Sequence, residues 1–386
     1  MLIENKSIAI IGGGPGGLTL ARLLQLKGAK TTVYERDLNK DVRVQGATLD
    51  LHTESGLAAL EKAGLINAFK ANYRPGADKV CVVDQDATVY YDEQDELKED
   101  SFGGKYFRPE IDRGPLRNIL LESLKSGTVE WGRQFISMER NQDGWTLHFK
   151  NGISAWADIV IAADGANSKI RPYLTDIKPF YAGVSALEGN IYHSEAAVPG
   201  IHKLLQGGKI FAYGASQVLI VSSKGGGDLT FYTSCETDEN WIHNNGLDYN
   251  DKTKVLAWFR QEFSSWDKIW WELFEKANPP FIPRPIYCFP LDQAWETIPN
   301  LTMLGDAAHL MPPFAGEGVN MAMLDALELS ENLTSDKFNC LADSLSGYEI
   351  QMRKRAVEAA EASLDNTKWM HSGKALDRML DMFKGL

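Results

Sequence analysis

Three groups of residues in this chain have the types and spacing to do chemistry, and each stands where an apolar run stops. Gly12, Gly14 and Gly17, with Pro15 among them, form a GxGxxG turn directly after Ile8-Ala9-Ile10-Ile11. Glycines let backbone N–H groups approach an anion closely, and a helix starting there adds the positive end of its dipole, a combination suited to a pyrophosphate. Glu35 follows near the offset of about 20 residues at which an acid accepts from the ribose of a dinucleotide. Ala163-Asp164-Gly165 and Leu304-Gly305-Asp306-Ala307-Ala308-His309 each put a carboxylate at a strand end, where it can accept from hydroxyls or backbone. After the second comes Pro312-Pro313-Phe314-Ala315-Gly316-Glu317-Gly318-Val319-Asn320, a proline-stiffened loop that runs into a helix. A helix start aimed at a flavin ring would stabilise negative charge on its N1 edge. The glycine turn by itself leaves NAD and FAD open, because both present the same ADP half.

These residues need elements to hold them. Ser7 to Asp37 reads as strand, tight turn, helix and second strand: Leu18, Leu20, Ala21, Leu23 and Leu24 recur with helical spacing, Gly28 closes the helix, and 30–35 is β-branched. Helices are expected over 55–63, 113–124, 252–276, 316–333 and 340–370. Strands are expected near Val129, 135–140, 145–149 and 156–162, with Asp143-Gly144 as a hairpin turn. Alternating runs near Gly189, Ile210, Val218 and Leu229, separated by turns such as Gly225-Gly226-Gly227, predict a second, sheet-based unit. Trp258, Phe259, Phe263, Trp266, Trp270 and Phe274 recur at helical spacing and read as a core face rather than an aromatic cage.

Composition narrows the function. The chain has 386 residues, ample for more than one domain, with 44% hydrophobic and 24% charged residues, as in an ordered globular protein. Its 52 acidic against 40 basic residues, a net charge of −12, argue against a nucleic acid or an anionic membrane as partner. Cys81, Cys235, Cys288 and Cys340 form no CxxC pair and fit a reducing compartment, so the cytoplasm is expected. The seven histidines show no paired-ligand spacing, so no metal is expected, and no GxSxG elbow suggests a serine hydrolase. His309, beside Asp306, reads as a residue that fixes its loop by hydrogen bonding.

In their order and spacing, the N-terminal glycine fingerprint, Asp164-Gly165 and Gly305-Asp306 resemble the FAD-dependent aromatic hydroxylases, the class A flavoprotein monooxygenases of the para-hydroxybenzoate hydroxylase type. Val44-Gln45-Gly46-Ala47-Thr48-Leu49-Asp50-Leu51-His52 and the stretch 305–320 are similar to the flavin-dependent tetracycline-inactivating monooxygenases. The resemblance implies an α/β protein with a Rossmann-like FAD-binding domain of the GR2 type over 1–174, returning over 291–335. It further implies a substrate-binding β-sheet domain over 175–290 and C-terminal bridging helices over 336–386.

It also implies FAD and NADPH as cofactors, with Gly12, Gly14, Pro15, Gly17, Glu35, Arg36, Arg43, Asp50, Arg113, Asp164, Asp306, Pro313, Gly316, Gly318, Val319 and Asn320 along the cofactor. Arg43 and Arg113 have an alternative as surface ion-pairing residues. Glu188, Lys209, Phe211, Thr230, Pro313 and Gly316 would meet the substrate. Glu188 and Thr230 stand where the tetracycline-inactivating enzymes place a glutamine and a histidine, and both could instead be ordinary strand residues facing solvent. The activity so implied is hydroxylation of a phenolic or enol-bearing polycyclic molecule, a tetracycline-type antibiotic among the candidates, by NAD(P)H and O2 through a flavin C4a-hydroperoxide. The flavin carries the chemistry, a monomer is expected, and no protein nucleophile is required. A dehydrogenase or reductase that does not use O2, or a regulatory flavin-binding protein, would share the same FAD motifs.

Overall fold

The strand Ser7–Ile11 lies at the middle of a five-stranded parallel sheet, in the order Leu301–Met303, Ile159–Ala162, Ser7–Ile11, Lys30–Tyr34, Val129–Glu130. The computed structural model describes residues 2–42, 46–93, 102, 104 and 107–384. Near-continuous apolar strands such as Ile159–Ala162, buried along their whole length, belong in a parallel sheet covered on both faces. One cover is helical: Pro15–Leu26 packs between Arg113–Glu122 and Gly318–Thr334. The other is the antiparallel meander Phe135–Asn141, Gly144–Phe149, Ser154–Ala157, whose Phe149 ring meets Tyr34 at 4.8 Å.

The second sheet has seven strands, in the order Ile282–Cys288, Phe180–Ile191, Leu229–Glu236, Gln217–Ser223, Lys209–Gly214, Val80–Asp84, Val89–Asp92. Its last two strands come from inside 1–174, so the sheet crosses the boundary expected at 174/175. Lys209–Gly214 pairs in parallel with Val80–Asp84, and that pairing draws an N-terminal segment into the second unit.

Alternation divides the faces of this sheet. Ile210, Ala212, Leu219, Val221, Leu229 and Phe231 point into a core with Phe259, Phe263, Trp266, Trp270 and Phe274, as the helical stripe predicts. The helix expected over 252–276 is two helices, Lys252–Glu262 and Trp271–Lys276. Asp267 separates them: its carboxylate accepts from the Ile269 N–H at 2.8 Å and caps a new turn, which ends the first helix's continuation. The opposite face carries Lys209, Phe211, Val218, Ile220, Thr230, Tyr232 and Glu188 by register, and its lower end is covered by Ala375–Lys384. The helix Leu341–Met370 runs between the two units and touches both Gly318–Thr334 and Phe180–Ile191. None of the described helices is long and apolar enough to cross a membrane.

Candidate cofactor and substrate site

The three strand-end motifs converge because their strands are neighbours. Ala163 N–H donates to Ile11 O at 2.8 Å and Leu304 N–H to Ala162 O at 2.9 Å, so the glycine turn, Asp164 and Gly305 leave the same edge of the sheet. Gly12, at φ +116°, packs so tightly on this edge that a Cβ would stand 2.1 Å from Ala163 O. A Cβ on Gly17 would stand 2.2 Å from Gly12 O, whereas Gly14 has open space around it. The helix Pro15–Leu26 begins there, with Pro15 in its first turn. The open glycine and the helix start make a cradle fitted to a pyrophosphate.

Glu35 is buried, and its carboxylate is directed at the turn: Oε2 accepts from Gly13 N–H at 2.6 Å and Oε1 from Asp37 N–H at 2.9 Å. It shapes the cradle from behind. Arg36 is exposed at the surface beside it. Arg43 lies outside the described residues.

Asp164 accepts from Lys169 N–H at 2.7 Å through Oδ2, while its buried Oδ1 has no partner. Burial raises its pKa, with the surrounding hydrogen bonds opposing. Asp306 begins the short helix Asp306–His309 and faces Gly318, whose Cβ would lie 3.9 Å from its Oδ1. Burial raises its pKa too, opposed by His309 and Arg113. Two half-buried acids of this kind suit hydroxyl donors, as on a ribityl or ribose chain, and the FAD-binding expectation fits the orphaned Asp164 oxygen and the open Gly14.

Behind Asp306 stands machinery that the motifs do not reveal. His309 Nε2–H donates to Asp325 Oδ2 at 2.6 Å, and the same oxygen accepts from Gly305 N–H at 2.9 Å. Arg355 donates to Asp325 Oδ1 at 2.9 Å and reaches Glu328 as well. His309 thus fixes its loop, as its sequence context predicts. Arg171, buried, donates to the carbonyls of Ala307 and Ala308 at 3.0 Å and lies 3.6 Å above the Phe289 ring; burial lowers its pKa to about 10.

The loop 312–317 is held from below. Gly316 sits at φ +71°, and a Cβ there would meet Asp50 Oδ1 at 3.3 Å. Asn320 is fully buried; its Nδ2 donates to Asp50 O at 3.0 Å while its Oδ1 accepts from His52 N–H at 2.9 Å. Pro313 opens the 3-10 turn Pro313–Ala315, and Gly318 and Val319 open the following helix. His52 bridges Asp50, at 3.0 Å, and Glu317, at 3.6 Å. Burial raises the Asp50 pKa, yet the His52 hydrogen bond with the Lys209, His52 and Arg108 charges lowers it below the ordinary carboxylate value.

Facing Gly46 and Ala47 is the wall of the seven-stranded sheet. Glu188, buried, pairs with Arg284 at 2.8 and 3.1 Å. Tyr232 stands opposite Glu188 in register, and its hydroxyl accepts from Ala47 N–H at 3.3 Å. A Cβ on Gly46 would lie 3.3 Å from that hydroxyl and 3.7 Å from both Arg113 Nε and Glu188 Oε1, so strand, loop and helix start meet there. Arg113 itself is exposed and donates from Nε to Ala47 O at 3.0 Å.

The other expected substrate residues are differently engaged. Lys209 is bonded to Glu110, which is buried with its Oε2 unpartnered. Phe211 packs in an apolar cluster with Ile220, Phe314 and the C-terminal helix. Thr230 has no exposure, and its hydroxyl is spent on Gly189 O at 3.2 Å and Asn190 Oδ1 at 2.5 Å. Tyr232, missed in the sequence, had one signal available: it alternates onto the same face as Thr230.

A Rossmann-type sheet with two further acidic strand ends beneath a second sheet defines a dinucleotide-binding flavoprotein. The FAD binding domain family matches residues 5–213 and 298–362. The monooxygenase asqM of Emericella nidulans is 30% identical over 436 residues, covering 96% of each chain. The 6-hydroxynicotinate 3-monooxygenase of Pseudomonas fluorescens is 24% identical over 392 residues, covering 96% of this chain and 93% of its own. The crystal structure of tetracycline destructase Tet(55) superposes with a TM-score of 0.74 at 19% identity, over 95% of this chain and 90% of that one. The chain belongs to this FAD-binding family of monooxygenases.

Proposed function

We propose that the protein hydroxylates a phenol- or enol-bearing small molecule with NADPH and O2, acting as a monomer in the cytoplasm. The observation that carries this reading is the convergence of the glycine turn, Asp164 and Gly305-Asp306 at one end of the first sheet, together with the junction at Gly46 and Ala47 where Glu188 and Tyr232 of the second sheet meet Arg113. Bound FAD supplies hydride acceptance and oxygen activation, chemistry that no side chain provides. The chain's residues bind, orient and enclose. The glycine cradle with Glu35 behind it takes the pyrophosphate; Asp164 and Asp306 accept from sugar and ribityl hydroxyls; Pro313, Gly316 and the Gly318 helix start face the ring. Arg113 and Arg36 lie toward the cofactor edge, and Asp50 supports Gly316.

On the substrate side, Glu188 and Tyr232 are placed to accept and donate toward a hydroxyl of the ligand, while Phe211 adds an apolar wall. Lys209 holds Glu110 and Asp50 rather than the ligand. The relatives' names support an aromatic substrate, and the three buried cysteines support a reducing compartment.

The deciding experiment is NADPH oxidation and O2 uptake by the FAD-loaded protein over a panel of phenols, hydroxypyridines and polyketides, with product masses. Substrate-stimulated uptake with one oxygen atom added to the product is expected. Substrate reduction or oxidation without O2 uptake would instead favour the dehydrogenase reading.

A further inference from the structure

The end of the helix Leu341–Met370 makes polar and ring contacts that the cofactor motifs leave unexplained. His371, buried, follows its last residue. His371 Nδ1 lies 2.7 Å from Thr367 O, and a carbonyl only accepts, so Nδ1 carries the proton. Nε2 is then an acceptor, and the Ser234 hydroxyl donates to it at 2.8 Å. Ser234 belongs to Leu229–Glu236 in the second sheet, two residues beyond Tyr232 and on the same face. The imidazole also stands edge-on to Phe314, ring centroids 5.2 Å apart at 76°. Phe314 lies in the loop 312–317, and its carbonyl accepts at 3.0 Å from Nδ2 of Asn366, five residues before His371. Asn366 is oriented in turn by Trp369, whose Nε1–H donates to its Oδ1 at 2.8 Å.

A single imidazole therefore touches the helix, the sheet and the loop. Both ring nitrogens are used, in one tautomer, and burial lowers the His371 pKa, which favours the neutral ring that this pattern needs. From the opposite side, Asn320 ties Asp50 and Gly316 O, so the loop is held at both ends.

We propose that His371 is a positioning residue that sets where the flavin-facing loop stands relative to the substrate-side sheet. The inference rests on the reading that this loop faces the flavin. It makes no contact with the reacting atoms itself; it acts through Phe314 and Ser234. Loss of the joint leaves the cradle intact and lets the loop drift, which weakens the field of the Gly318 helix start on the flavin.

The test uses the full chain with FAD bound and needs no substrate. Hydrogen exchange of the segment 312–318 and the midpoint potential of the bound flavin are compared among wild type, His371→Ala, His371→Gln and Ser234→Ala. Losing one net hydrogen bond, about 0.5–1.5 kcal/mol, corresponds to roughly two- to tenfold faster loop exchange. That acceleration is expected in His371→Ala and Ser234→Ala, with a more negative potential and FAD affinity within about threefold of wild type. His371→Gln, which can still accept from Ser234, is expected to recover most of the effect.

Wild-type exchange and potential in both alanine variants overturns the proposal. So does acceleration spread equally over the whole chain, which marks a loss of global stability. If His371→Ala fails to fold, Ser234→Ala carries the same comparison. A wild-type protein that takes up no FAD defeats the functional reading instead, and loop exchange in the cofactor-free chain still decides whether the joint holds.

Discussion

His309 Nε2 and Asp325 Oδ2 stand 2.6 Å apart, both buried, across the turn that presents Asp306. The carboxylate also collects Gly305 N–H and Arg355, so one acid organises the strand end, the short helix and the long C-terminal helix together. A buried charge with this many partners is satisfied, but removal of one partner leaves the others exposed to the full desolvation cost.

Asp325→Asn is therefore expected to destabilise the fold by about 3 kcal/mol. Burial alone would raise the Asp325 pKa, but the His309 charge and hydrogen bond, with Arg355, bring it below the ordinary value; burial alone would lower His309, and Asp325 raises it. The Asp325 contribution is present above its unfolded pKa of about 4 and is lost as pH falls through the depressed folded value. The His309 contribution is present below its unfolded pKa of about 6.5 and is lost as pH rises through the elevated folded one. Urea denaturation of wild type and His309→Gln across pH should show the largest difference between these limits, shrinking on both sides. A difference independent of pH would mean that the pair is not ionised.

Asp306→Ala should lower FAD affinity roughly ten- to hundredfold, the equivalent of about 1.5–3 kcal/mol for hydrogen bonds to a charged acceptor. Titration of the cofactor-free variant by flavin fluorescence measures it. Glu35→Ala is expected to act differently from a simple ligand deletion: it frees Gly13 N–H, so both FAD affinity and thermal stability should fall. Unchanged affinity in Asp306→Ala would place the ribityl chain elsewhere.

Tetracyclines are expected to be poor substrates. Glu188 is an ion-paired acceptor that cannot donate as a glutamine does, and Thr230 is turned away toward Asn190. Incubation with NADPH, O2 and a tetracycline, followed by mass spectrometry, should give little oxygenated product. Glu188→Gln should change this more than Thr230→His, because an imidazole has no space at a fully buried threonine. Rapid turnover by the wild-type protein would show that other contacts hold the ligand.

Phe259→Ala should cost roughly 3–5 kcal/mol and leave FAD affinity unchanged. Phe259 stacks on Phe274 at 4.1 Å and on Phe263 at 4.6 Å in the core behind the second sheet, away from the cofactor edge. Chemical denaturation and FAD titration of the same variant separate the two effects. A selective loss of ligand binding would reinstate the aromatic cage.

The parts of this protein whose cause is local are legible in the chain. A glycine turn between a strand and a helix, carboxylates at two strand ends and a proline-stiffened loop before a helix are short-range patterns, and the family resemblance followed from their order. The aromatic stripe was legible for the same reason, since side-chain period and burial are coupled within a few turns.

Tertiary structure decided what depends on pairing between distant segments. Val80–Asp84 enters the second sheet through Lys209–Gly214, a register that propensity does not contain. Lys209 is bonded to Glu110, 99 residues away, and Thr230 to its cross-strand neighbour Asn190. Tyr232 gains its place only because it is opposite Glu188, and His371 only because the end of a long helix reaches both Ser234 and Phe314. A buried polar side chain takes whichever partner the packed chain brings within hydrogen-bond distance, and that choice is made by the fold.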